Sequence, residues 1–147
     1  MSYEAIRQLN HRYASAVGRR DEAAWAATWD DDAVWELGKG RQVEGKAAIV
    51  DLWNKAMDGF NAVVQNVVDG MCELDEEAGT GTGRQSIMEN WQRANGDVGI
   101  LLAYYEDRYV RTDGEWLFAS RELIVHYSGP PDLSGTFLNA WGETKPK

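Results

Sequence analysis

The chain has 147 residues, 44% of them hydrophobic and 27% charged, proportions that let it bury a core of its own as one domain. A formal charge of −9 sets it against phosphate backbones and anionic bilayers, which are bound through clustered lysine and arginine, so neither nucleic acid nor a membrane surface is an expected partner. Cys72 is the one cysteine, and no cysteine–histidine cluster has metal-ligand spacing. The start, MSYEAIRQL, lacks the basic and apolar regions of a leader. The expectation is therefore a metal-free, cofactor-free protein of the cytoplasm.

From Ser2 to Val17 the apolar residues Ile6, Leu9, Tyr13 and Val17 recur at spacings of three and four and predict a first helix, capped by Ser2 and closed at Gly18. Asp21 is placed to cap a second, Ala-rich helix with Trp25 and Trp29 on one face. Asp30 to Asp32 read as that helix's end and a turn. Ala33 to Leu37 follow as a short strand that stops at the Gly38-Lys39-Gly40 turn. Behind Gly45, the residues Ile49, Leu52, Trp53, Ala56, Met57 and Phe60 fit a third helix.

The remainder reads as strand: Ala62 to Val68, Met71 to Leu74, Thr80 to Trp91, Gly99 to Arg111 and Glu115 to Tyr127. Turn residues at Asp75 to Gly79, Asn95-Gly96 and Asp113-Gly114 part them. Helices first and a meander of strands afterwards predict an α+β domain, not alternating βαβ units. The domain is taken as residues 1–147, with 128–147 a C-terminal tail whose Phe137, Leu138 and Trp141 are apolar enough to dock.

That order of elements, with HRYASAVGRRD, ATWDDDAVWELG, VEGKAAIVDLW and YYEDRYVRTDGEWLFASR, resembles the SnoaL-like branch of the nuclear transport factor 2-like superfamily over about residues 3–127. The resemblance implies a cone-shaped fold, three N-terminal helices packed on a strongly curved mixed or antiparallel sheet enclosing one pocket. It also implies a homodimer or homotrimer acting on a small-molecule ligand or substrate. Relatives include ketosteroid isomerase, scytalone dehydratase, bile acid 7α-dehydratase, a hexachlorocyclohexane dehydrochlorinase and polyketide cyclases, and some relatives are not enzymes. The activity implied is a cofactor-independent lyase or isomerase on an apolar or aromatic oxygenated compound; the alternative is a non-catalytic binder using the same pocket.

Carried over by position, the resemblance matches Tyr13 to a helix-one tyrosine that donates to an oxyanion. It matches Asp107 to a carboxylic acid kept protonated by apolar surroundings, and Arg121 to an arginine that attracts a leaving group or carboxylate. Two departures stand out. The helix aspartate that orients a histidine base is Gly18 here, and the histidine's place is held by Asn61-Ala62; the isomerase's base position is Leu37.

Glu89, mid-strand between apolar residues, is the candidate base, since partial burial would raise its pKa toward neutrality. Tyr105 could donate to a substrate oxygen, and Trp25, Trp29, Trp35, Trp53, Phe60 and Asn61 complete the candidate binding set. Each has a plainer reading. Tyr13 fits a half-buried helix residue, Asp107 a surface partner of Arg108 or Arg111, Arg121 a cross-strand partner of Asp107 or Glu106, and Glu89 an exposed strand carboxylate; the tryptophans fit a core. Two-residue alternation puts Leu101, Ala103, Tyr105, Asp107, Tyr109 and Arg111 on one face of their strand. It puts Leu117, Ala119, Arg121, Leu123, Val125 and Tyr127 on one face of the next.

Overall fold

A computed structural model describes residues 2–138. Helix α1 (Tyr3–Arg19) and the single-turn α2 (Glu22–Ala26) lead into strands β1 (Trp29–Gly38) and β2 (Arg41–Glu44). Helix α3 (Lys46–Met57) follows, then the long strands β3 (Phe60–Asp75), β4 (Thr80–Arg93), β5 (Val98–Thr112) and β6 (Glu115–Gly129). The strands form one mixed sheet in the order β2-β1-β6-β5-β4-β3, antiparallel throughout except where β1 runs parallel to β6. The sheet is curved and unclosed, and the helices cover its inner face. The described residues contain no helix long and apolar enough to cross a membrane.

The helices form for the reasons their spacing gives, with local differences at their ends. Ile6, Leu9, Tyr13 and Val17 are all buried on one side of α1. Gly18 lies inside that helix, and Arg20 takes the left-handed residue that ends it, with φ 49°. The Ser2 hydroxyl donates to Glu76 at 2.7 Å instead of capping the helix. Asp21 does cap α2, accepting from the Ala24 amide at 3.0 Å.

Helix α2 is shorter than its composition predicts. Trp29 opens β1, so Asp30 to Asp32 are strand residues and β1 is ten residues long, not five. The reason is non-local: the Phe118 amide donates to Thr28 O at 2.9 Å and Trp29 stands opposite Phe118, so β6 captures the segment. Strand β2 exists because Gly38, Lys39 and Gly40, all at positive φ, fold Arg41 to Glu44 back onto β1. Phe60, expected to extend α3, begins β3 instead. The two strands expected between Ala62 and Leu74 are one, with a bulge between Val67 and Gly70.

A second bulge decides which β6 residues face inward. Asp107 pairs with Arg121 and Arg108 with Ser120, but Tyr109 pairs with Phe118, leaving Ala119 over. Below the bulge Trp116 and Phe118 therefore point inward and are buried, in place of the Leu117 and Ala119 that simple alternation puts there. A third bulge, at His126, turns Tyr127 to the face shared with Leu102. There the residues after β6 cover it: the Tyr127 hydroxyl donates to Pro130 O at 2.6 Å and accepts from the Gly135 amide at 3.0 Å, and Phe137 packs 4.9 Å from its ring. Leu138 adds a backbone bond to His126 O at 2.7 Å; Trp141 lies outside the described residues.

The core fills the space between the helices and the concave face. Trp25 and Trp53 stack at 4.6 Å with planes 10° apart. Trp25, Trp29 and Trp35 meet one another at 5.4–6.0 Å, and Tyr13 joins Trp25, Trp29 and Phe118. Aromatic side chains of this size dominate core energetics.

Candidate functional site

Residue alternation along β5 brings Ala103, Tyr105, Asp107 and Tyr109 to the inner face, and all four are buried. Opposite Asp107, Arg121 is 1% exposed, and its Nε donates to Asp107 Oδ1 at 2.8 Å while Nη2 donates to Asp107 Oδ2 at 3.1 Å. Nη2 also donates to Asn10 Oδ1 at 2.9 Å, tying the pair to α1. The Tyr109 hydroxyl donates to Asp107 Oδ2 at 3.3 Å. The guanidinium carbon lies 3.7 Å from the Tyr105 ring centroid, 3.9 Å from Phe118 and 4.5 Å from Tyr13, a cation enclosed by three aromatic faces. No described hydrogen bond uses Nη1.

Burial pushes the Asp107 carboxyl above the ordinary aspartate range, and the Arg121 charge and hydrogen bonds pull the other way. For Arg121, burial works against the charge, but Asp107, Tyr13 and Tyr105 outweigh it and raise its pKa. A guanidinium cannot shed its proton in a protein, so Arg121 carries its charge at neutral pH. Both Asp107 oxygens accept. This is the geometry of a group that holds Arg121 in place, whereas the resemblance had Asp107 donating a proton to a substrate oxygen.

Tyr13 and Tyr105 are the phenols beside this pair that do not donate to Asp107. Their oxygens are 3.4 Å apart, and burial raises both pKa values, Tyr13's well above the usual phenol range. Both phenols are neutral donors near pH 7.

Glu89 faces inward on β4, two inward positions along from Gln85, which stands opposite Tyr105. It stands across from Gln65 of β3, whose Nε2 donates to its carboxylate at 3.2 Å. Burial raises its pKa, with Gln65 opposing. No arginine or lysine of the described residues pairs with it, and its charge acts on both Tyr13 and Tyr105.

The other sequence candidates divide. Trp25, Trp29, Trp35 and Trp53 form the aromatic layer under Tyr13, and the buried indole nitrogens of Trp25, Trp29 and Trp35 have no acceptor among the described residues. Phe60 is half-buried against Trp91 at 6.0 Å. Asn61 is not brought into this group: its side chain is exposed and donates to Gln92 Oε1 and Arg93 O, both at 3.2 Å, because the β3–β4 register shifts between Phe60 and Ala62 and leaves Asn61 in the bulge. Gly18 and the start of β3 do converge, lining a shallow cleft with Asn61, Ala62 and Val63, so the places where a dyad was sought meet without an acid or an imidazole. Among the described residues, no group of three or more His, Cys, Asp and Glu side chains could hold a metal ion.

Sequence reasoning missed Asn10, Tyr109 and Gln65 as site groups. Asn10 carries a usable signal, lying on the buried stripe of α1 one turn after Ile6, and Tyr109 shares the Asp107 face. Gln65 carries none; only the β3–β4 register reveals it.

The fold and site define an α+β domain in which helices close a curved sheet around buried phenols, an ion pair and an unpaired acid. The chain belongs to the SnoaL-like domain family, whose model matches residues 1–122. Among solved structures it is similar to LinA, at 25% identity and a TM-score of 0.80, covering 95% of this chain and 94% of that one. A hexachlorocyclohexane dehydrochlorinase of Novosphingobium barchaimii aligns at 22% identity and TM-score 0.79, covering 95% and 94%. A scytalone dehydratase-like protein of Novosphingobium aromaticivorans aligns at 18% and 0.79, covering 90% and 94%. No curated protein matches the sequence.

Proposed function

We propose that the protein is a cofactor-independent lyase or isomerase that removes a proton from carbon in a small, largely apolar, oxygenated substrate. The observation that carries this reading is Glu89, an inward carboxyl without a cationic partner, held by Gln65 and raised in pKa by burial. A carboxylate in that state is a stronger base than an exposed one. Tyr13 and Tyr105 supply neutral donors where negative charge develops on the substrate oxygen, and Arg121, with Nη1 uncommitted, faces that charge or a departing anion. Asp107 and Asn10 position Arg121. The likeness to a dehydrochlorinase and a dehydratase-like protein supports elimination as the reaction type.

The test follows the proton. The protein is incubated in heavy water with a panel of hydroxylated aromatic, steroid and terpenoid ketones, and deuterium uptake and product are read by mass. Glu89→Gln is expected to reduce exchange at least a hundredfold, within the range general base catalysis contributes, and Tyr13→Phe about tenfold or more. Exchange that survives Glu89→Gln unchanged would remove Glu89 from the mechanism.

A second reading, a non-catalytic ligand binder, is favoured by the cleft beside Gly18, where the positions of the usual dyad hold no titratable group. The three unmet indole donors of Trp25, Trp29 and Trp35 suit a bound acceptor under either reading. Tryptophan quenching without deuterium uptake across the panel selects the binder.

A further inference from the structure

At the far end of α1 from Gly18, the first turns of the helix and the second half of β3 border a cleft of about 350 Å³, which the proposed reaction does not use. Its rim is open and mostly apolar: Tyr3, Val68 and Met71 are 55%, 62% and 74% exposed with Ile6 beneath them, and His11 and Arg7, the latter paired with Glu4 at 2.6 Å, also line it. Its floor is polar and buried, made by Asn10, Gln85 and Tyr109. An apolar collar over a few converging polar groups, at this volume, is the form of a small-molecule site, and exposed apolar side chains gathered at one opening are not the ordinary scatter of a surface.

The floor also shows what kind of head group it takes. Gln85 Nε2 donates to Asp69 O at 2.5 Å and Ser86 O at 3.1 Å, which fixes the amide and leaves Oε1 with no donor among the described residues. Asn10 is committed to Ile6 O and to Arg121, and Tyr109 gives its proton to Asp107 and has a side-chain hydrogen bond with Asn10. The open valence is therefore an acceptor, Gln85 Oε1. Two glycines make the floor possible: a Cβ at Gly70 would collide with Gln85 Oε1, and one at Gly83 with the Tyr109 hydroxyl.

We infer that this cleft binds a neutral hydroxylated aromatic compound, the ring held by Ile6, Val68 and Met71 and the O–H donated to Gln85 Oε1. A carboxylate or phosphate brings no proton to Gln85 Oε1, and a plain hydrocarbon would leave it unmet. The inference does not depend on Glu89 and stands whether or not the protein is catalytic.

The methionines report on it. Met71 lines this cleft, Met57 lies beside Gly18 and Phe60 at the opposite end of α1, and Met88 sits on β4 opposite Asn66, away from both clefts. Protein carrying 13C-methyl methionine is titrated with 2-naphthol and, separately, with naphthalene and 2-naphthoate. The expected result is a saturable shift of Met71 with Met57 and Met88 still, and 2-naphthol binding tighter than either analogue. Gln85→Leu should weaken 2-naphthol about fivefold, the worth of one ordinary hydrogen bond, and leave naphthalene unchanged or stronger. Val68→Arg, at an exposed rim position, blocks the cleft without touching its floor and should abolish the Met71 shift. A shift of Met57 with Met71 still, equal affinity for naphthol and naphthalene, or no saturable shift at Met71 overturns the inference.

Discussion

Two carboxylates face the inner side of the same sheet, and their surroundings give them opposite uses. Asp107 meets a guanidinium through two hydrogen bonds, accepts a third from Tyr109, and is walled in by aromatic rings. Glu89 meets one amide. Burial pushes the pKa of both upward, but only Asp107 has a cation to hold its charge. Burial alone therefore does not make a general base. The carboxylate committed to a cation organises its neighbours, and the one left without a cation is the base in the mechanism we propose.

The largest effect expected from breaking this contrast is on Asp107. Asp107→Asn leaves Arg121 buried without its counter-charge and should lower stability by about 3–5 kcal/mol, measured by urea unfolding. The double variant Asp107→Leu with Arg121→Met should recover most of that loss, because it removes both charges together. If the single variant costs less than the double, the pair is not what holds this end of the sheet.

Glu89 should behave in the reverse sense. Its folded pKa is raised, so the protonated acid favours the folded state below the unfolded value of about 4.3, and that contribution is lost as pH rises through the folded pKa. Glu89→Gln should therefore match the wild type near pH 4 and melt at a higher temperature than it near pH 7. A melting-temperature difference that is flat across this range would show that Glu89 is not held in a raised state.

The smallest effect belongs to Tyr13. Its hydroxyl contact with Tyr105 is long, at 3.4 Å, and Tyr13→Phe keeps the ring that packs on Arg121 and Trp25. Stability should fall by about 1 kcal/mol or less while turnover falls much further, separating a catalytic hydroxyl from a packing one.

Much of this molecule is legible in its residues. The stripe Ile6, Leu9, Tyr13, Val17 specifies α1 and its buried face. Asp113-Gly114, both at positive φ, specifies the β5–β6 hairpin. Alternation along β5 places Tyr105, Asp107 and Tyr109 together, and alternation along β4 turns Glu89 inward with Gln85 and Ile87. The less legible parts are those where one strand borrows its state from another. Trp29 to Asp32 carry helix-end chemistry and are strand because β6 pairs with them, and Asn61 looks like a pocket residue but faces solvent at the sheet edge.

By itself, then, the sequence determined α1, α3, the β5–β6 hairpin, the order of helices before strands and the family, because periodicity and turn chemistry are local properties. The tertiary structure decided the site. The bulge at Ala119 inserts one residue, reverses which side chains of β6 face inward, and so sets Trp116, Phe118 and Arg121 on one face around Asp107. Cross-strand register likewise chose Asp107 over Glu106 as the partner of Arg121, and gave Glu89 a glutamine 24 positions away that no sequence signal names. Register depends on how whole strands pair, which no local pattern encodes.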